Sequence, residues 1–520
     1  MMEKRKEPQT RTSLLYQQAR RYHQAGDLGE AVPLYAKVLV ARPRHTPSLL
    51  HLAEIAWRTG NLDQAVVLLQ RALTIDPQYA EAYEVFWQVR KAQQQYGSAE
   101  LLLRRLIELR RHDGEHYYHL AVLQQERGFL AEAGALFEQA LRYRPDDEKI
   151  LFAAGELLHQ QGRIEAATEK FRLALVQAPR NPAYHAQYGL LLAQCGRAQE
   201  SLLQLERAII LKPGDISFRQ LQWQTLLRLG RLPEGLAAAH RFSPKIPGVA
   251  VWDGKPFVGR LLIFPATEME DLLQYARYLP QVKEMGGTVI LALPKPLMRL
   301  FNNLLCVDEI IEASPKGLVD SKADVAISIS SLPHLFNTTL DSIPAHSTYL
   351  FADPFLTHSW VRRLDWKTFR IGLVWSTDTQ SIPVVSAERL MQLPGISWYP
   401  LQLEETAGLR DYADIAALAA NLDLIIAVDS PQAHLAAAIG RPVWTLLSFE
   451  AHWRWLDRRE DSPWYPTMRL FRQRQPGDWD EVIQRVADAL RPRSRPFRQL
   501  QPLQGKPREF FADSAVTYSC

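Results

Sequence analysis

An aspartate, a serine and a histidine, Asp429, Ser430 and His434, follow the apolar run Leu424-Ile-Ile-Ala-Val428 and precede an alanine-rich stretch that ends at Gly440. The pattern reads as a buried strand feeding a helix. Ser430 is a good N-cap, Pro431 stands at the first helical position, where a missing N–H does no harm, and Gly440 ends the helix. His434 then lies in the first turn. Free backbone N–H groups, the positive end of the helix dipole and an imidazole donor would together hold a phosphate or pyrophosphate. The same residues also fit an ordinary strand-to-helix turn of an α/β domain.

Other chemistry-bearing patterns are weaker. Asp478-Trp-Asp480 has the spacing of a metal-binding acid pair but stands where it would cap a terminal helix. His116 and His119 are spaced i, i+3 in a helical stretch without further ligands and read as solvated surface, so no metal site is expected. The sequence holds no GxGxxG turn, no phosphate loop and no Ser-His-Asp elbow. Its three cysteines, Cys195, Cys306 and Cys520, show neither zinc spacing nor the even count of a disulfide framework, and a reducing, cytoplasmic setting is expected.

The elements that position the Asp429 segment alternate between apolar runs and helical stretches. Arg260–Pro265, Thr288–Leu293, Glu309–Glu312 and Asp324–Ile329 read as strands, with helices predicted over Asp271–Met285 and Pro296–Leu305. A second unit runs through strands at Phe369–Trp375, Trp398–Gln402, Leu424–Val428 and Pro442–Leu447 and closes with a helix over Asp480–Leu490. Strands alternating with helices imply parallel sheets covered on both faces, with ligands in the crevice beyond the strand C-terminal ends.

The first half is a repeat array. A period of 34 residues holds from Thr12 to Asp215, and a partial seventh repeat follows. Small residues recur at the eighth position (Ala19, Ala53, Ala121, Gly155, Gly189) and the twentieth (Ala31, Ala65, Ala99, Ala133, Ala167, Ser201). The twenty-fourth position is Tyr35, Leu69, Leu103, Phe137, Phe171 or Leu205, and prolines 43, 77, 145, 179 and 213 stop each second helix. The third repeat deviates, with Trp87 at the small position and Arg111 at the proline position. Stacked helix pairs of this kind bury their faces against neighbours and form an α-solenoid with a concave groove. Tyr83, Trp87, Tyr117 and Tyr118 are candidates for contacting a protein or peptide there, although most such aromatics serve as core between repeats.

Composition bounds the rest. The 520 residues carry 61 Lys and Arg against 57 Asp and Glu, a net charge of +4 spread evenly, which leaves no nucleic-acid footprint. No run of about 18 apolar residues predicts a membrane span, and the charged N-terminus lacks the apolar stretch of a signal peptide. Domains are expected at 12–243 for the repeats, 251–360 and 361–490 for the α/β halves, and 491–520 for a tail.

The Asp429–His434 run, Ala438-Ile-Gly-Arg-Pro-Val-Trp444, Trp453-Arg454-Trp455 and Asp461-Ser-Pro-Trp-Tyr-Pro-Thr-Met-Arg-Leu-Phe-Arg-Gln473 resemble the C-terminal half of bacterial proteins that join tetratricopeptide repeats to a glycosyltransferase. That half is similar to the heptosyltransferase family and, more distantly, to the protein O-GlcNAc transferases, over roughly residues 251–490. The resemblance implies a GT-B-like module of two doubly wound domains, a nucleotide-sugar substrate, no cofactor, and a polypeptide acceptor held by the repeats, with surface proteins such as flagellins suggested by related architectures. It also implies metal-independent, inverting transfer. Asp271 would take the acceptor proton. Trp375, Ser376, Gln402, Asp429, Ser430, His434 and Arg454 would line the donor side.

Two departures bear on activity. The family's Gly-x-Gly-Asp turn is here Glu268-Met-Glu270-Asp271, so the acid stays but both glycines are replaced by glutamates, which would repel a pyrophosphate. The loop after Ser376 is also shorter, and the family's Arg position holds Gln380. Two classes of function follow: a protein glycosyltransferase, or a pseudo-glycosyltransferase acting as a repeat-based scaffold.

Overall fold

A computed structural model describes residues 7–491 apart from 267, 345, 376–381, 404–407, 450, 458 and 476. Ser376, the short loop after it and the expected tail beyond 491 lie outside the described residues. The chain forms two compact units that divide between Leu191 and Leu192, inside the helix Pro182–Gln194.

From Glu7 to His240 the described residues form fourteen helices in seven pairs, and from Thr46 onward the first helices begin every 34 residues, at 46, 80, 114, 148, 182 and 216. Local signals set their starts. Asn61 Oδ1 accepts from the Gln64 N–H at 3.2 Å, and Asp147 Oδ1 from those of Lys149 and Ile150 at 3.0 and 3.2 Å. The twentieth- and twenty-fourth-position residues read from the sequence are all buried. At Gly155 a Cβ would stand 2.8 Å from the Phe171 ring, so only glycine admits that ring.

The turn between paired helices requires a left-handed residue, supplied by glycine at Gly60 (φ 82°) and Gly128 (φ 83°). In the deviant third repeat Gln94 takes that conformation, with φ 59°. Trp87, in the same repeat, is buried in a cluster with Leu103, Leu106 and Leu120, where its ring lies 4.9 Å from that of His119.

The α/β part belongs to the second unit. Strands β1 (Ala250–Val251), β2 (Arg260–Phe264), β3 (Thr288–Leu293), β4 (Glu309–Glu312) and β5 (Val325–Ser328) form a parallel sheet in the order β1-β5-β2-β3-β4. Strands β6 (Phe369–Val374), β7 (Ile396–Pro400), β8 (Leu424–Val428), β9 (Val443–Leu447) and β10 (Met468–Arg472) form a second, ordered β10-β9-β8-β6-β7. The sequence reading lacked two edge strands: β1, only two residues long, and β10, where charge interrupts the apolar run.

Each sheet reverses direction once. The chain leaves β2 toward β3 and returns on its other side at β5; it leaves β6 toward β7 and returns at β8. Loops diverge at such points and open a crevice. The acid-rich turn at 268–271 follows β2, and Asp429–Ser430 follow β8. One apolar core joins the two sheets, running from Leu261 and Ile263 through Leu272 and Tyr275 to Val428, Ala433 and Leu446.

Gln94→Gly is expected to raise the unfolding free energy by roughly 0.5–1 kcal/mol by removing a left-handed side chain. Gly155→Ala is expected to lower it by about 1–3 kcal/mol through overpacking against Phe171. Urea denaturation of the full chain reads both.

Candidate functional site

The connection from β9 to β10 carries a 3-10 turn, Trp453–Trp455, whose central residue, Arg454, is buried. Its Nη2 donates to Glu268 Oε2 at 2.9 Å and Asp271 Oδ1 at 3.3 Å, both from the helix start after β2. Its Nε donates to His452 Nδ1 at 2.8 Å, and Nη1 stands 3.3 Å from His434 Nε2. A guanidinium from one α/β half is thus held by carboxyl groups of the other. Burial alone would lower the Arg454 pKa, but Asp271, Asp429, Tyr275 and Glu268 outweigh it and raise it, so the charge is retained. Burial and the adjacent Arg454 push His452 far below its usual value, in keeping with its acceptor role.

Asp429 and His434 form the other side. Asp429 Oδ2 accepts from the Trp455 indole at 2.6 Å, and Oδ1 lies 3.4 Å from His434 Nε2. His434 Nδ1 is 2.8 Å from the Tyr465 hydroxyl. Since a guanidinium can only donate, a neutral imidazole protonated on Nδ1 fits, accepting from Arg454 at Nε2 and donating to the Tyr465 hydroxyl. Burial lowers His434 to about 4 against the opposing pull of Asp429. Burial would raise Asp429, but the neighbouring His434, the Arg454 charge and the Trp455 donor together hold it below the carboxylate range.

Asp271 is poised differently. Burial, reinforced by Glu268 and Glu270 against the opposing Arg454, raises its pKa from 3.8 to about 6. Burial likewise raises Glu270. A carboxyl near this value is deprotonated at neutral pH yet basic enough to take a proton.

Four of the residues singled out from the sequence therefore meet, Asp271, Asp429, His434 and Arg454, with Ser430 beside Asp429 in the chain. Their roles differ from the phosphate cradle expected for the Asp429 segment. Ser430 is fully buried, and its Oγ accepts from Ala433 N at 3.3 Å, capping the helix Pro431–Ala438. His434 is fully buried with both ring nitrogens engaged. Neither presents a donor to a ligand as placed, because the imidazole meets Arg454 and Tyr465 instead. Trp375 follows β6, half-buried, and its carbonyl accepts from Ile382 N at 2.9 Å, while Gln402, also half-buried, lies two residues beyond β7.

The repeat candidates also resolve. The Tyr83 hydroxyl donates to Pro77 O and that of Tyr117 to Arg111 O, each at 3.2 Å. Their fourth-position equivalents bond in the same register: His185 meets Pro179 O at 3.0 Å and Arg219 donates to Pro213 O at 3.3 Å. Tyr83 and Tyr117 thus fasten each helix start to the preceding turn. Tyr118 is half-buried, 6.2 Å from the Phe137 ring. His116, expected at the surface, is buried with Nε2 3.5 Å from Asp113, and His119 is half-buried against Trp87. Asp478 Oδ1 accepts from Glu481 N at 3.1 Å and caps the last helix.

Sequence reasoning missed a second buried cation. Arg277 donates through Nη1 to Trp464 O at 2.5 Å, through Nε to Gln274 O at 2.7 Å and through Nη2 to the Tyr349 hydroxyl at 3.0 Å. Its guanidinium also lies 4.8 Å from the Tyr465 ring. Trp464-Tyr465 stand inside a segment that carries the family resemblance and Arg277 lies within the wider range it covers, which is the available signal.

Arg454→Met would leave buried acids without their cation and is expected to cost about 3–5 kcal/mol, read by urea denaturation. Because folding raises the pKa of Asp271, its contribution is full below 3.8 and is lost as pH rises through about 6. The unfolding free energy of the native chain minus that of Asp271→Asn should therefore fall across this window by on the order of 2–3 kcal/mol and then level off.

Residues 367–473, spanning the second sheet, match the glycosyltransferase family 9 (heptosyltransferase) model, and residues 22–85 and 118–182 match tetratricopeptide repeat models. Protein FlbA of Caulobacter vibrioides is 27% identical over 302 residues, covering 49% of this chain and 50% of FlbA. The chain thus spans about half the length of this curated relative. Among solved structures, YrrB, described as a TPR protein with an unusual peptide-binding site, is 18% identical with a TM-score of 0.31, covering 36% of this chain and 96% of YrrB. PilF of Pseudomonas aeruginosa is 18% identical with a TM-score of 0.37, covering 42% of this chain and 99% of PilF. Tetratricopeptide repeats and a glycosyltransferase family 9 domain are joined in this chain.

Proposed function

We propose that this chain is a protein glycosyltransferase that moves a sugar from a nucleotide-activated donor to a hydroxyl of a polypeptide recruited by its repeats. The observation that carries this reading is the Asp271–Arg454 pair, 3.3 Å apart at the β2 crevice: a base of raised pKa beside a cation from the other sheet's loops. Asp271 takes the acceptor proton as the acceptor oxygen bonds to the anomeric carbon. The bond from that carbon to the donor phosphate breaks, and the phosphate keeps the electron pair. Attack opposite the leaving group inverts the anomeric configuration. Arg454, held in place by His452 and His434, stabilises the charge developing on the phosphate.

In this reading Glu268, whose side chain is half exposed, occupies the anion position on Arg454 and yields it to the donor phosphate. Its carboxylate is a placeholder that lowers donor affinity. The buried Ser430 and engaged His434 contribute positioning of the loop rather than direct contact.

A second reading has its own support. Glu268, Glu270, Asp271 and Asp429 gather around the single Arg454, so an incoming pyrophosphate meets more negative than positive charge. That favours a pseudo-glycosyltransferase whose repeats serve as a scaffold.

Calorimetric titration of the chain with UDP, GDP, ADP and CMP separates the two. One nucleotide is expected to bind, more tightly to Glu268→Gln by about tenfold, the equivalent of one displaced carboxylate at roughly 1.4 kcal/mol. Asp271→Asn is expected to keep that binding and to lose transfer by about 10²–10⁴-fold. A folded Glu268→Gln variant that binds none of the four would leave the scaffold.

A further inference from the structure

The first two repeats hold a polar cluster that the repeat fold does not demand. His23, on the helix Glu7–Ala25, and His51 and Glu54, on the helix Thr46–Arg58, each place one ligand atom within 4.8 Å of the others. His23 is the twelfth residue of its repeat, and His51 and Glu54 are the sixth and ninth of the next. No other neighbouring repeats carry these three residue types at these positions; the corresponding sets are Trp57, Val85 and Gln88, then Lys91, His119 and Val122, and on through the array.

The geometry points to a divalent transition-metal site, of the zinc class, formed by His23, His51 and Glu54. Two imidazoles and a carboxylate are a common zinc donor set with a fourth position left for water. Zinc ligands at about 2.0–2.1 Å in tetrahedral geometry stand roughly 3.3 Å apart, so closure by about 1.5 Å is needed. Side chains that are only half-buried, as all three are, can turn by that much.

Three features favour a cation there. Glu54 Oε2 lies 2.8 Å from His51 Nδ1, so an ion taking the place of the proton they share would meet both atoms at once. The His23 ring is edge-on to His51 at 5.5 Å, near enough for one ring nitrogen of each to reach a shared ion. The Tyr35 hydroxyl, fully buried, has no hydrogen-bond partner among the described residues, and its ring stands 5.4 Å from His51 and 6.1 Å from His23. Tyr16, whose hydroxyl sits 3.2 Å from His51 Nε2, would hold the metal-bound ring from behind, as the second ring nitrogen of such a histidine is usually held. Binding would tie the first helices of two successive repeats together.

The test uses the full chain, stripped with chelator and titrated with zinc chloride by calorimetry, with cobalt(II) absorption reporting coordination geometry. One zinc per chain is expected, with a raised melting temperature and the intense visible bands of tetrahedral cobalt. His23→Gln and His51→Gln should each weaken binding at least tenfold, while His116→Gln, elsewhere in the array, should leave it unchanged. Far-UV circular dichroism confirms that the variants remain helical. Absence of zinc binding, or binding that survives the His23→Gln, His51→Gln double variant, overturns the proposal.

Discussion

A guanidinium in a protein interior is tolerated only if its hydrogen bonds and charge are met on every side, since the cost of removing it from water is several kcal/mol. Arg454 meets that condition by drawing on three separate loops: Glu268 and Asp271 after β2, His434 after β8, and His452 from its own turn. The partners after β2 and β8 are not adjacent to it in space unless both sheets are formed and packed. The ion network therefore acts as a check on the assembly of the two α/β halves. It also bears on the protonation states: burial, reinforced by one retained positive charge, keeps two imidazoles neutral, that charge helps keep Asp429 ionised, and Asp271, buried and crowded by other acids, is raised to about 6.

How much of this is legible in the sequence follows from the range of each interaction. The repeat period, the buried positions and the sheet-forming runs are local or periodic, so the order of residues along the chain is enough to reveal them. Tyr83 and Tyr117 are visible as aromatics on a helix face, but their anchoring bonds to the carbonyl six residues earlier are evident only alongside the same bonds made by His185 and Arg219. The turn at Gln94 shows the converse, where a periodic glycine is missing and the backbone keeps its left-handed form regardless.

The site is legible in membership and not in arrangement. Asp271, Asp429, His434 and Arg454 converge, yet the Asp429 segment suggests an open helix terminus, whereas Ser430 and His434 are turned inward. Whether a polar side chain faces a ligand or a neighbouring loop depends on residues far away in sequence, here Tyr465 and Arg454. Local patterning carries no information on that. Arg277 escapes notice for the same reason, since its partners Trp464 and Tyr349 lie 187 and 72 residues away.

The last repeat pair is mechanically part of the α/β half. Arg228, ending the helix Ile216–Arg228, donates to Ala451 O at 3.1 Å, three residues before Arg454, and Leu227 and Leu236 contribute to the same apolar core as the two sheets. The compact units accordingly divide within the sixth repeat and not at the proline-containing segment that ends the helical pattern. Exchange of repeats between such proteins by recombination would thus preserve the α/β half only where the crossover falls upstream of that final pair, so that the exchanged repeats are inherited without their last member.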